Sequence, residues 1–157
     1  MFCSQFSQKK HLRLFGQRNK TLFLRQIINE TTMEYLNDLF TLVSMEDRDN
    51  GFAAQLRCNP SHPVYRAHFP GNPITPGACL LQLAGDLMRQ KTGRPLYLKS
   101  SKNIKFLSIL TPEQGKEVRF VFSHLVESET ECRVQVVITD EQTVFSKMSL
   151  MFFYEPL

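Results

Sequence analysis

The chain predicts an α+β domain with one helix packed on one antiparallel sheet. Three observations lead there. Residues 76–91 form a single long run of helix-forming, mostly apolar residues, closed by Thr92-Gly93 and Pro95. Runs with strand character lie on both sides of it, two before and four after, separated by turn-forming clusters. The 157 residues are 42% hydrophobic and 22% charged, enough for one buried core without disulfides or metals.

Taken in order, residues 33–38 predict a short leading helix, with Thr32 as a candidate N-cap. Leu39–Glu46 predicts a strand, and Asp-Arg-Asp-Asn-Gly at 47–51 a hairpin turn into a second strand, Phe52–Cys58. Asn59–Thr75 carries Pro60, Pro63, Pro70 and Pro73 and is expected to be a loop. After the helix, Leu96–Leu107 is a long strand with room for a bulge. Val118–Glu127, Glu131–Thr139 and Val144–Tyr154 follow, divided by Glu-Gln-Gly, Glu-Ser-Glu-Thr and Asp-Glu-Gln turns. Cys132, Val134, Val136 and Ile138 alternate with Arg133, Gln135, Val137 and Thr139, the period of two of a half-buried antiparallel strand.

Charge separates the chain into two parts. The net charge is +4, but residues 1–32 hold six basic residues and one acid, so the remainder has 13 basic and 14 acidic residues. The basic excess belongs to the first 32 residues. The body shows no basic patch with interleaved aromatics, and nucleic acid is not an expected partner. Residues 1–32 also lack the continuous apolar core of a secretory signal. A transit-peptide-like leader, upstream sequence read from an early start with Met33 as the natural one, and a plain disordered or loosely helical extension all fit; the last is the simplest. The expected domain is therefore 33–157. No stretch approaches the ~20 apolar residues of a membrane span. Cys3, Cys58, Cys79 and Cys132 are scattered without metal-ligand spacing, and reduced thiols in the cytoplasm are the expectation.

The loop and the start of the helix carry the chemistry. Thr75 is a candidate N-cap, with Pro76 in the first helical position. Gly77 then presents an uncovered backbone N–H where free donors and about half a unit of positive charge gather, suited to a carbonyl oxygen gaining negative charge. The helix is apolar almost all round, so it should be buried on most sides. Gln82, Asp86 and Arg89 share one narrow stripe, and a polar stripe on a buried helix must be solvated, paired or used. His68 stands eight residues before Pro76 in a loop stiffened by prolines. Taken singly these features have ordinary explanations: a structural histidine, an i,i+3 ion pair, a helix start.

Together, the run His68-Phe69-Pro70-Gly71-Asn72-Pro73-Ile74-Thr75-Pro76-Gly77 and the apolar helix after it resemble the β-hydroxyacyl-acyl-carrier-protein dehydratases. The resemblance extends over about residues 33–157 and includes Asn103–Pro112. It implies the hot-dog fold, an antiparallel sheet wrapped around a central helix. It implies reversible loss of water from a 3-hydroxyacyl thioester carried on acyl carrier protein. His68 would take the C2 proton, as suits a group titrating near neutral pH, and the Gly77 N–H would hold the thioester carbonyl, a donor worth about 2.7–4 kcal/mol. Phe69, Pro76, Leu81 and Asp86 are further candidates for contact with substrate. Leu81, Met88 and several Phe could line an acyl tunnel as well as form plain core. The acidic carrier would meet Arg66, Lys99, Lys102 or Lys105. No metal or redox cofactor is implied.

The sequence departs from the family at one position. A Glu or Asp belongs fourteen residues after the histidine, and here that residue is Gln82. An amide cannot donate the proton that a carboxylic acid gives the leaving hydroxyl, a loss of about 10²–10⁴-fold. Asp86 lies one turn on, about 6 Å along the axis. In the family the histidine and the carboxylate come from opposite subunits, so at least a dimer is implied. Two other readings stay open: thioester hydrolysis on the same fold, and an acyl-binding or hetero-oligomeric partner subunit that has lost its own acid.

Overall fold

The computed structural model describes residues 35–156. The proposed N-terminal extension and the Thr32 cap lie outside them. Six strands form one antiparallel sheet: β1 (Phe40–Arg48), β2 (Gly51–Cys58), β3 (Leu96–Phe106), β4 (Glu117–Glu127), β5 (Glu131–Thr139) and β6 (Val144–Tyr154), in the order β1-β2-β4-β5-β6-β3. Two helices interrupt them, α1 (Val64–Ala67) and α2 (Gly77–Thr92). This is the hot-dog arrangement that the resemblance implied. No helix among the described residues is long and apolar enough to cross a membrane.

The period of two decides the core. Val134, Val136 and Ile138 of β5, Met148, Leu150 and Phe152 of β6, and Phe120 and Phe122 of β4 are buried on one face. They join Leu80, Leu83, Ala84, Leu87 and Met88 of α2 in a single apolar cluster. Met88 is thus wholly core, and Leu81 is half-buried against the cluster. Gly85 faces the Phe152 ring of the sheet, and a Cβ there would meet it in ordinary contact at 3.7 Å. The helix ends on Gly93 in the left-handed conformation (φ 64°), whose N–H bonds the Arg89 carbonyl.

Three expectations need correction. Residues 35–38 are not helical. Asn37 adopts φ 68°, Leu36 bridges Phe40, and the N–H groups of Tyr35 and Leu36 are taken by the Asp86 carboxylate. The Pro-rich loop contains α1, a single turn absent from the prediction. The N-cap of α2 is Pro76, not Thr75: the Pro76 carbonyl accepts from the Cys79 and Leu80 N–H groups. Thr75 is drawn away because its hydroxyl bonds Tyr65 Oη (3.0 Å) and its N–H bonds the Leu110 carbonyl (2.8 Å). The strand after the helix does depart from regular pairing, as its length left room for: β3 shifts register at Leu98/Ser100 and at Lys102/Lys105.

Candidate functional site

His68 closes α1. Its N–H donates to the Val64 carbonyl (2.9 Å), and its backbone is extended (φ −107°, ψ 107°). Phe69 follows at φ 55°, a left-handed conformation that is uncommon for a bulky residue and is held by the Asn72 N–H on its carbonyl. This bend sets the two rings edge to face, with centroids 4.4 Å apart. The His68 ring is partly exposed, yet its Nδ1 is buried without a hydrogen-bond partner. Nδ1 is thus closed to a reactant, which leaves Nε2 as the candidate nitrogen.

Gly77 begins α2, and its amide has no intrahelical acceptor. The ring of Phe106 stands directly over its α-carbon: a Cβ there would fall 2.3 Å from the ring. A side chain at 77 would have to push the Phe106 ring aside, and that ring is the far end of an exposed side chain, so the contact covers Gly77 without making glycine obligatory. Phe69 (58% exposed), Phe106 (57%), Leu107 (52%) and Ile109 (66%) leave large apolar surface in two segments tied together by the Thr75–Leu110 hydrogen bond. Phe106 escaped the sequence reading, although it lies in the 103–112 run that carried part of the resemblance.

Gln82, Asp86 and Arg89 do come together. The Gln82 side-chain amide donates to Asp86 Oδ1 (3.0 Å), and Arg89 Nη2 pairs with the same oxygen. Asp86 Oδ2 accepts the backbone N–H groups of Tyr35 (2.9 Å) and Leu36 (3.2 Å). A carboxylate only accepts, so Gln82 must turn its NH₂ toward Asp86 and its Oε1 elsewhere. Asp86 is buried and fully occupied by four donors. It borders a small cavity of about 220 Å³ with Leu36, Asn37, Arg89 and Gln90. No hydrogen bond joins His68 to Gln82 within the chain among the described residues. A wider cleft of about 690 Å³ lies elsewhere, walled by Gln55, Glu117, Arg119 and Asp140. Its lining is polar, unlike the largely apolar wall of a typical small-molecule site.

Behind the loop lies a buried polar chain. The Cys58 thiol meets Tyr65 Oη at 3.4 Å, and that hydroxyl meets Thr75 Oγ1. Cys79 shares a hydrogen bond with Tyr35. Burial pushes the thiols of Cys58 and Cys79 and the phenol of Tyr65 upward, so all three stay protonated near neutral pH. The two thiols are then poor nucleophiles. Among the described residues Cys58, Cys79 and Cys132 are all free. Of the cations expected to meet a carrier, Lys99 is engaged by Glu131, while Arg66, Lys102 and Lys105 are exposed.

Residues 44–148 match the model of a family described as ApeI-like, the ApeI dehydratases. No curated protein is similar in sequence at a significant level. Solved structures share the fold at low identity. An uncharacterized protein from Erwinia carotovora subsp. atroseptica is 20% identical, with TM-score 0.54 over 76% of this chain and 98% of its own. The dehydratase heterocomplex ApeI:P from Xenorhabdus doucetiae is 17% identical, with TM-score 0.56 over 73% and 97%. A hypothetical thioesterase from Streptococcus pneumoniae, solved with coenzyme A, is 16% identical, with TM-score 0.52 over 74% and 85%.

Proposed function

Because the chain belongs to the ApeI-like dehydratase family, matched over residues 44–148, we propose that it interconverts 3-hydroxyacyl and trans-2-enoyl thioesters carried on acyl carrier protein. The observation behind this reading is His68: a histidine with Nδ1 sequestered and its ring open to a reactant, in the loop that leads into the helix start at Gly77. In this reading His68 Nε2 takes the C2 proton while the Gly77 N–H binds the thioester oxygen. The donor accelerates the step because charge builds on that oxygen in the enolate-like state. The C2=C3 double bond then forms, the C3–O bond breaks, and the hydroxyl leaves as water. An amide at position 82 supplies no proton, so the proton count closes on His68: the imidazolium returns what it took. Gln82, with Oε1 turned away from Asp86, orients the C3 hydroxyl. Asp86 holds Gln82 rather than the substrate. Phe69, Pro76 and Leu81 remain candidates for the acyl wall.

The exposed apolar residues at 69, 106, 107 and 109 favour a second subunit or acyl chain over this face, and Arg66, Lys102 and Lys105 are available to an acidic carrier. One observation favours a variant of this reading. Gln82 lacks the acid, and a structural neighbour is a dehydratase heterocomplex. A carboxylate-bearing partner would then complete the site.

The test is hydration of a trans-2-enoyl-carrier-protein by the full chain, beside His68→Ala and Gln82→Glu. Wild-type turnover that falls at least about 10²-fold in His68→Ala is the expected result. Gln82→Glu sets a second carboxyl against Asp86, and two such groups hold one proton at higher pH than either alone. That variant should be faster, with a steeper fall above neutral pH. Release of free thiol without hydration would replace the dehydratase reading with thioester hydrolysis. Activity appearing only in Gln82→Glu would point to the missing partner.

A further inference from the structure

We propose that His62 is a positioning residue for His68, acting through a hydrogen-bond relay across α1; the inference rests on the reading of His68 as the base. His62 is buried, 7% exposed, and takes no part in the chemistry described above. Its Nδ1 accepts the Val64 N–H (3.1 Å), and its Nε2 faces Asp38 Oδ2 (3.1 Å). A backbone amide only donates, so Nδ1 must be bare. The ring proton is therefore on Nε2 and is given to Asp38. The Tyr35 ring packs edge-on at 6.0 Å.

The relay continues through one residue. Val64 gives its N–H to His62 and its carbonyl to the His68 N–H. A single helical turn has no stability of its own, because nucleation fixes several residues for one hydrogen bond. Here Nδ1 supplies the missing acceptor at the start of α1, and the turn ends on the candidate base. The far end is anchored as well. The His62 N–H bonds the Asn59 carbonyl (3.2 Å), and Asn59 bonds the Asp38 carbonyl (2.9 Å) through its side chain and the Leu39 carbonyl (3.0 Å) through its N–H. His68 is thus referenced to the foot of β1 rather than to a free loop. Catalytic groups tolerate little displacement, with about 1 Å worth up to 10²-fold in rate.

Two substitutions separate the two ring nitrogens. In His62→Asn the side-chain oxygen stands where Nδ1 stood and can still accept from Val64. In His62→Gln the amide reaches toward Asp38 but leaves the Val64 N–H without its acceptor. The full-length variants are compared by amide hydrogen exchange at Val64 and His68 and by steady-state kinetics. Expected for His62→Gln are faster exchange at both amides and kcat lowered about 10–10²-fold with KM within about twofold. His62→Asn should return both toward wild type. Equal loss of melting temperature in the two variants, with kcat unchanged, would overturn the positioning role. The exchange measurement needs no turnover. If the wild-type chain proves inactive, unchanged exchange in His62→Gln overturns the relay, while faster exchange upholds it and leaves the dehydratase reading as the part that failed.

Discussion

Asp86 illustrates how one side chain can organise its surroundings. It lies on the buried side of α2, where an unpaired carboxylate would be costly, and it collects four donors from three places: Gln82, Arg89, and the backbone of residues 35 and 36. Removing it strands all four. Asp86→Ala should cost about 1–3 kcal/mol of stability, the range for leaving donors without their acceptor, because the Arg89 charge is itself 25% exposed and can turn to water; the readout is urea or thermal unfolding. A loss below about 1 kcal/mol would mean that water replaces the carboxylate. From the sequence, the stripe of Gln82, Asp86 and Arg89 was legible because helical spacing alone puts those residues on one face. That two backbone amides some fifty positions earlier complete the set was not, because nothing local to Tyr35 and Leu36 marks their N–H groups as taken.

The hairpin and the turns show how local chemistry fixes whole elements. Asp49-Asn50 joins β1 to β2, and Gly51 follows at the point where β2 crosses close to β4. A Cβ at 51 would lie 2.0 Å from the Phe122 carbonyl oxygen, which belongs to backbone and cannot swing aside. Gly51→Ala should therefore destabilise by about 1–3 kcal/mol, seen as a lower urea midpoint. An unchanged midpoint would mean the hairpin shifts freely. This crossing brings Phe52 onto Phe122, stacked with centroids 4.2 Å apart. The β5–β6 turn is set by Asp140, whose Oδ1 accepts the N–H groups of Gln142 (2.9 Å) and Thr143 (2.7 Å). The Gln142 N–H, followed by Thr143 and Lys116, holds the Asp140 carboxyl below its ordinary range. A group lowered on folding stabilises fully above its unfolded value and loses that contribution as pH falls through the folded one. The acid limb of stability should thus be shallower in Asp140→Asn; an identical limb would assign acid unfolding to other carboxylates.

At the scale of the whole molecule, the two candidate residues on the loop and on α2 are not joined directly. His68 and Gln82 make no hydrogen bond within the chain, and β1 and β3 stand at the sheet edges. If sites are shared between two copies, mixing inactive His68→Ala with inactive Gln82→Ala chains should restore roughly a quarter of wild-type turnover, since half the dimers are mixed and each holds one complete site. No recovery on mixing would place each site within one chain.

The amino-acid sequence determined the features that rest on near neighbours. Alternation along 131–139 and 144–154, the turn chemistry at 47–51, and the apolar run over 76–91 mark strands, hairpin and helix with little help from elsewhere. His68 and Gly77 could be named as candidates for the same reason: the motif that singles them out is one continuous stretch. Tertiary structure decided the rest. Thr75 loses its cap role to a tyrosine ten residues back, the leading segment gives up its helix to a carboxylate on α2, and Phe106 comes to rest over Gly77. Each outcome turns on a donor, an acceptor or a ring that is distant in sequence and becomes a neighbour only once the sheet has closed around the helix.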